Sequence, residues 1–192
     1  MTSHSKGLKY SPFELEQMLD SIVVLVDTRE QPGKRFDQRT QSFGFPFVRH
    51  KLDQGDYSYK WTDLDGVEHM MDSKIVIERK MSLNELASNF GKNRDRFTRE
   101  FERAKELGTK VYLIVEDDGW EDAYNGTYGK DPDHRSRLSP NSMIGSINAW
   151  ENRYDMRIRL CKHSRTGRMI RDIFYYHLKE ILQSEVEDER VD

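Results

Sequence analysis

Cysteine is nearly absent from this sequence, since Cys161 is the only one among 192 residues. A single thiol excludes an internal disulfide and fits a reducing compartment, and we interpret Cys161 as a buried strand residue rather than a nucleophile. The six histidines are scattered, so no Cys/His cluster has the spacing of a zinc site. One of them, His134, lies near two aspartates in a loop, and we assign it no ligand role.

Long apolar runs are also lacking. No stretch approaches the roughly 20 residues of a membrane-spanning helix, and the N-terminal "MTSHSKGLKY" has no apolar signal-peptide core. We therefore expect a soluble protein with no membrane partner, cytoplasmic in a bacterium or phage-infected cell and nuclear in a eukaryote. The length suits one domain, which we place at residues 11–184, between a flexible tail (1–10) and an acidic disordered tail (185–192).

Charge of one sign does not dominate, because the net charge is only -3. Its distribution is uneven: the last eight residues, "EVEDERVD", hold five acids and one arginine. Between Arg153 and Lys179, in contrast, eight Lys/Arg face two acids. A solvated surface and a nucleic-acid-binding face both explain such a basic segment.

The hydrophobic pattern alternates between strands and helices, which predicts an α/β or α+β domain built on a mixed sheet. Between the first two strands "QPGKR" breaks the chain, and the polar residues 117–138 predict a long loop. The helices begin at Ser11–Pro12, Ser82, residue 94, Ser139–Pro140 and Thr166, and the last ends near Gln183. The predicted strands are 22–27, 46–52, 56–62, 74–80, 111–116 and 156–161.

The stretch "IVIERK" runs from three apolar residues into three charges. Because side chains alternate along a strand, Glu78 and Lys80 share one face and Arg79 lies on the other. Charges at the end of a core strand are costly unless they are partnered. A structural ion pair explains them, and so does a metal site in which Glu78 is a ligand and Lys80 contacts water or phosphate. The strand alone favours the ion pair.

Two further apolar strands carry carboxylates at an end. "VDTRE" places Asp27 and Glu30 after one strand, and "QGDY" places Asp56 at the start of another. Acids that converge from separate strands repel one another and need a cation. Hard oxygen ligands select Mg²⁺ or Mn²⁺.

Together, "VDTRE … GDY … IERK" resembles the signature of the XPF-type structure-specific endonucleases, a branch of the PD-(D/E)XK restriction-endonuclease-like fold. The resemblance covers roughly residues 22–182 and implies a mixed central sheet flanked by helices. Asn84 stands where the family usually has an aspartate, and we expect activity to survive this change. The chain has the size of small stand-alone phage and bacterial members. It ends without the tandem helix-hairpin-helix domain of many relatives, which leaves junction specificity and dimer state open.

The resemblance implies a metal-dependent DNA endonuclease acting on branched, flap or fork DNA, with roles in DNA repair and recombination. Lys80 would orient or deprotonate the attacking water, or stabilise the developing charge. Arg79 would be either catalytic or a structural partner of a carboxylate. A Mg²⁺ (or Mn²⁺) would be held by Asp27, Glu30, Asp56 and Glu78. The implied catalytic set is Asp27, Glu30, Asp56, Glu78, Arg79 and Lys80.

Basic side chains near these motifs are candidate DNA contacts. The stretch "RDRFTREFER" gives a helix face that is either solvated or binds phosphate. Arg35, Arg39 and Lys51 flank a loop that we expect to reach substrate, whereas Arg157 and Arg159 predict an exposed strand face. Tyr175–Tyr176 predicts helix packing, or a dimer contact, rather than base stacking. The candidate DNA-binding residues are Arg29, Arg94, Arg96, Arg99 and Arg103.

Two other functions remain open. One is a non-catalytic DNA-binding or scaffold partner of a nuclease, and the other is a Holliday-junction resolvase or exonuclease on the same fold. In each case the expected partner is DNA, with a homodimer or a nuclease-family subunit as the protein partner. Intact Asp56, Glu78 and Lys80 argue against the non-catalytic partner. They do not separate an endonuclease from a resolvase or exonuclease, because specificity depends on the surrounding loops.

Overall fold

The computed structural model describes residues 9–128 and 138–188, with the backbone alone for 185–188. Its helices are α1 (Pro12–Asp20), α2 (Lys34–Gln41), α3 (Leu83–Phe90), α4 (Arg94–Glu106), α5 (Trp120–Asn125), α6 (Pro140–Tyr154) and α7 (His163–Asp188). Its strands are β1 (Val23–Asp27), β2 (Phe47–His50), β3 (Tyr57–Thr62), β4 (Glu68–Met70), β5 (Ile75–Lys80), β6 (Lys110–Glu116) and β7 (Arg157–Cys161).

The strands form one seven-stranded mixed sheet in the order β2-β1-β3-β5-β6-β7, with β4 beside β3. Strands β5, β6 and β7 are parallel to one another, whereas β3 is antiparallel to both β1 and β5. The register between β3 and β5 pairs Tyr57 with Ile77, and Oγ of Ser58 also donates to the carbonyl of Ile75 at 2.8 Å. The predicted α/β fold with a central mixed sheet and flanking helices is confirmed.

Two apolar layers bury the faces of the sheet. Ile75 and Ile77 pack in the layer that contains α1, α2 and α7, whereas Val76 packs in the layer that contains α3, α4 and α6. The strand β5 therefore sends alternate side chains to opposite layers, as the period of a strand requires. This alternation decides which of its three terminal charges can meet.

Serine caps mark the N-termini of three helices at the positions predicted from the sequence. Ser11 forms a capping box with Glu14 at α1, Ser82 accepts from the amide of Glu85 at α3, and Ser139 accepts from the amide of Ser142 at α6. Each serine oxygen satisfies an amide that the first helical turn leaves without a partner.

Three elements were not predicted. The helix α2, "KRFDQRTQ", has one apolar residue and no apolar stripe, yet Phe36, Arg39 and Thr40 are buried. The strand β4 is short and polar, and α5 lies inside the segment 117–138 that was predicted to be a loop. Helix α7 also begins three residues before Thr166 and continues to Asp188, five residues past the predicted end.

Some expectations concern residues outside the described ranges. These are His134, most of the predicted N-terminal tail and residues 189–192 of the predicted acidic tail. The proposed domain limits therefore stay a prediction. Within the part of the chain that the structure describes, no helix combines the length and hydropathy that crossing a membrane requires.

Candidate active site

The charged end of β5 forms an ion pair on one face of the sheet. The Nζ of Lys80 lies 2.5 Å from Oε1 of Glu78 and 5.3 Å from the ring centre of Phe97. Lys80 is only 7% exposed. Burial opposes its charge, but Glu78, together with Glu85 and Asp56, outweighs burial and raises the pKa of Lys80. A raised pKa keeps the proton on Lys80, which suits charge stabilisation or water orientation, two of the three expected roles.

Gly55 brings the chain close to β5 just before Asp56. Gly55 has φ +72°, and a Cβ there would lie 2.8 Å from Cβ of Val76. The next amide, that of Asp56, donates to the carbonyl of Ile77 at 2.8 Å. A side chain at position 55 is thus excluded both by conformation and by space. This is the physical reason for the glycine in the "GD" motif.

Asp56 and Glu78 both line a cavity between β5 and α4, which has a volume of about 400 Å³. Oδ2 of Asp56 accepts the backbone N–H of Arg79 at 2.7 Å. Burial and the negative charge of Glu78 together raise the pKa of Asp56 well above its ordinary value. A cation between the two carboxylates would relieve this repulsion.

Asp27 lies at the same end of the sheet, but its oxygens are occupied. Oδ1 accepts from the amide and Nε of Arg29, at 2.7 and 2.6 Å, and Oδ2 accepts from the amide of Leu52 at 2.8 Å. Burial opposes ionisation, but these donors outweigh it and lower the pKa of Asp27. Asp27 thus holds the guanidinium of Arg29 at the cavity instead of presenting a free carboxylate.

Glu30 lies in a buried ion-pair cluster on the opposite face of the sheet, made of Glu30, Arg39, Tyr57, Arg79 and Glu116. Its Oε2 accepts from Arg39 at 2.8 Å and from Tyr57 at 2.6 Å, and its Oε1 accepts from Arg79 at 3.2 Å. Glu116 pairs with both arginines at 3.2 Å. The four charged side chains are at most 14% exposed.

This buried cluster revises three expectations. Glu30 does not join Asp56 and Glu78, because both of its oxygens already accept hydrogen bonds. The guanidinium of Arg79 points away from the cavity and is a structural partner, here of two glutamates. Arg39, expected on a loop that reaches substrate, is 3% exposed in helix α2.

The structure also leaves fewer candidate metal ligands than the four predicted carboxylates. Within residues 9–128 and 138–188 no group of three or more His, Cys, Asp or Glu side chains is placed to hold a metal ion. Asp56 and Glu78 nevertheless offer hard oxygen donors at one cavity. The buried Oε1 of Gln54, which lines the same cavity, has no hydrogen-bond partner among the described residues. This donor set fits Mg²⁺, which commonly binds one or two carboxylates and completes its shell with water and phosphate.

Arginines form a second wall of this cavity. Three of the predicted DNA-contact residues, Arg96, Arg99 and Arg103, project from α4, and Arg29 adds a fourth from the β1 end. The apolar side of α4, with Phe97 and Phe101, packs against Trp150. Arg94 differs: it does not line this cavity, and its Nη1 donates to a carbonyl at the end of α3.

Comparisons with known proteins show the family and the fold of this chain. The ERCC4 domain family model matches residues 26–173, and the chain belongs to this family. The structure of XPF from Aeropyrum pernix is similar at 20% identity with a TM-score of 0.55, over 81% of this chain and 61% of that chain. XPF from Aeropyrum pernix in complex with DNA is similar at 20% identity with a TM-score of 0.53, over 88% of this chain and 67% of that chain.

The resemblance to an XPF-type nuclease domain is thereby confirmed. This chain spans about 61% of the length of the first XPF structure. No match to it was found among the curated proteins.

Proposed function

We propose that this chain is a metal-dependent DNA endonuclease that cuts phosphodiester bonds in branched, flap or fork DNA. The observation that carries the proposal is the meeting of Asp56 and Glu78 at one cavity whose other wall bears arginines, with Lys80 paired to Glu78. Membership of the ERCC4 domain family supports a nuclease, and the DNA complex of a similar fold supports DNA as the substrate class.

The arginines of the cavity would bind the DNA backbone. Arg96 and Arg103 are 76% and 55% exposed, so their guanidinium groups can reach phosphates. Their partners Glu100 and Asp53 lie at 3.2 and 3.6 Å in exposed ion pairs, which are weak and easily exchanged for phosphate. Arg29, oriented by Asp27, would hold the backbone next to the carboxylates.

Asp56 and Glu78 would hold a Mg²⁺ or Mn²⁺ ion, with the amide of Gln54 as a further oxygen donor. When bound, such an ion activates water and neutralises charge on the phosphate. The N–H of Arg79 fixes one oxygen of Asp56, and Lys80 fixes one oxygen of Glu78. Each carboxylate is therefore oriented by a donor on β5 before any ion binds.

Lys80 would stabilise charge on the phosphate and orient the attacking water. It lies beside Glu78, it is buried, and it carries its proton. A fixed ammonium in a site with little water acts strongly on developing negative charge. Asn84 lies in the first turn of α3, outside the residues that line this cavity, and we assign it no ligand role.

Two tests separate the proposal from its alternatives. Asp56→Asn and Glu78→Gln should each abolish cleavage of flap DNA with Mg²⁺ while retaining folding and DNA binding, and Glu106→Gln on the exposed side of α4 is the control. Cleavage at the wild-type rate by either variant, purified free of contaminating nuclease, contradicts the assignment. A wild-type chain that binds flap, fork and four-way DNA but cuts none with Mg²⁺ or Mn²⁺ would instead be a scaffold partner.

A further inference from the structure

A second groove lies on the face of the sheet opposite the candidate active site. It has a volume of about 490 Å³ and lies between the β6–β7 edge and α7. On β6, Val111 lines the active-site cavity, whereas its neighbours Lys110 and Tyr112 line this groove. The residues that the argument uses are Lys110, Tyr112, Arg159, Arg165, Arg168 and Tyr176.

The groove is positively charged. Four of its side chains are cationic, against the two acids Asp172 and Glu180. Asp172 lies 3.9 Å from Arg168 and 3.5 Å from Arg171, so its charge is shared between two arginines. Among the described residues, no acid pairs with Lys110, Arg159 or Arg165. Within this part of the chain Arg159 donates only to the carbonyl of Ile158, at 3.0 Å, so the charges of all three cations remain available to an anion.

Aromatic rings accompany these cations. The guanidinium groups of Arg157 and Arg159 lie 6.0 and 5.7 Å from the ring centre of Tyr112. Tyr176 is 58% exposed, whereas its neighbour Tyr175 packs against the core cluster. The predicted helix packing therefore applies to Tyr175. The ring of Tyr176 lies edge-on to that of Tyr175, with the ring centres 5.2 Å apart, and is exposed at the groove.

Cations that follow a groove, next to an exposed aromatic ring, are the features that bind single-stranded nucleic acid. We propose that this groove binds a single strand of DNA, with phosphates on Lys110, Arg159 and Arg165 and a base stacked on Tyr176. The excess of like charge opposes a second copy of this chain as the occupant.

The position on the sheet also favours a single strand over a duplex. The groove and the active-site cavity lie on opposite faces, so a straight duplex in the cavity does not reach the groove. A flexible strand can pass around the sheet edge. Lys110 and His177 also line a neighbouring cavity bordered by Trp61 and His69, which extends the path. The proposal uses residues that the catalytic proposal does not use.

Binding is measured by fluorescence anisotropy with an oligothymidylate, in metal-free buffer so that cleavage plays no part. Affinity falls as salt rises, and the double change Arg159→Ala/Arg165→Ala should make this fall less steep. The log–log slope should decrease in magnitude by about 1.4, at ~0.7 per single-strand phosphate. Tyr176→Ala should weaken binding at least about fivefold, whereas Tyr176→Phe should retain it. Lys34→Ala/Lys105→Ala, which removes two exposed charges outside both cavities, is the matched control.

The position of the bound strand on the protein is tested by photo-crosslinking. A bromodeoxyuridine-containing single strand is crosslinked, and the adduct is mapped by mass spectrometry. An adduct on the α7 peptide that contains Tyr176 supports the proposal. Adducts confined to α4, or a salt slope unchanged from that of the control, overturn it. An equal loss of affinity for blunt duplex overturns the single-strand assignment, and a changed sedimentation coefficient with unchanged DNA binding assigns the groove to self-association. An inactive nuclease would leave every one of these measurements intact.

Discussion

The backbone N–H of Arg79 donates to Asp56 on one face of the sheet, at 2.7 Å, while its guanidinium pairs with Glu30 and Glu116 on the other. One residue thus ties a candidate metal ligand to a buried ion-pair cluster. The cluster fixes the end of β5 where Glu78 and Lys80 emerge. Buried charges of this kind are costly when a partner is removed, so this end of the strand depends on all members of the cluster.

Gly55 allows a first prediction about the site. Gly55→Ala should destabilise the fold by about 2–4 kcal/mol, because it combines a left-handed φ with a contact of 2.8 Å to Val76. It should also reduce cleavage at temperatures where the variant is folded, since Asp56 follows directly. The measurements are urea unfolding and flap cleavage.

Gly66 is the matched control for this change. It has φ +81°, but a Cβ there would meet no atom within 4 Å. Gly66→Ala should therefore cost only the backbone strain of about 1 kcal/mol and leave cleavage unchanged. Equal behaviour of the two variants would mean that the close approach to β5 does not position Asp56.

Gly167 gives a second prediction, about the contact between α7 and α2. A Cβ at Gly167 would clash with Oγ of Ser42 and with the carbonyl oxygen of Arg39. Gly167→Ala should therefore force the helices apart and destabilise the fold by at least about 3 kcal/mol. Gly145→Ala, in helix α6 with open space around it, should be neutral or stabilising by up to ~1 kcal/mol. Similar melting temperatures for the two variants would contradict this packing.

Strong local patterns explain what could be predicted from the sequence. Continuous apolar runs predicted β1, β5 and β6, and the serine caps predicted α1 and α3. The motif "GDY … IERK" predicted the meeting of Asp56 with Glu78, and alternation predicted the pairing of Glu78 with Lys80. Each of these signals is local, or repeats with the period of its own element.

Tertiary burial explains what could not be predicted. The helix α2 has a single apolar residue, and Arg39 is buried by partners distant in sequence, Tyr57 and Glu116 among them; nothing local indicates this. Glu116 had a usable signal, since it ends the apolar strand "VYLIVE" as Glu78 ends its own. Glu30 and Asp56 both flank apolar strands, and the carboxylate that they share does not tell which face of the sheet each side chain meets.

Arg39 gives a third prediction, which separates a structural role from substrate contact. Arg39→Met should destabilise the fold by about 3–5 kcal/mol, because Glu30 and Glu116 lose a buried partner. Arg35→Met, on the same helix but 52% exposed, should cost less than about 1 kcal/mol. Chemical denaturation gives both values. Adding Glu30→Gln to Arg39→Met should cost less than the two separate losses together, and strict additivity would argue against the pairing.

The pH dependence of stability gives a fourth prediction. Burial opposes ionisation of Glu30, but Arg79, Tyr57 and Arg39 together outweigh burial and lower its pKa below the ordinary value of 4.5. A carboxyl whose pKa is lower in the folded than in the unfolded chain binds its proton first in the unfolded chain. Its contribution is therefore complete above about pH 4.5 and disappears as the pH falls through the lowered folded value.

Glu30→Gln removes this titration, so the free energy of unfolding of the variant should fall less steeply with acid than that of the wild type. Asp27 and Asp117 also have lowered pKa values. The free energy of unfolding should therefore still decrease with acid in both proteins. The measurement is urea denaturation at a series of pH values between neutrality and pH ~3, with the difference between the two proteins as the readout. Asp65→Asn, in the exposed turn before β4, is the control and should follow the wild-type curve. Parallel curves for wild type and Glu30→Gln would show that Glu30 titrates alike in the folded and unfolded chains, and the ion-pair cluster would then not hold its charge.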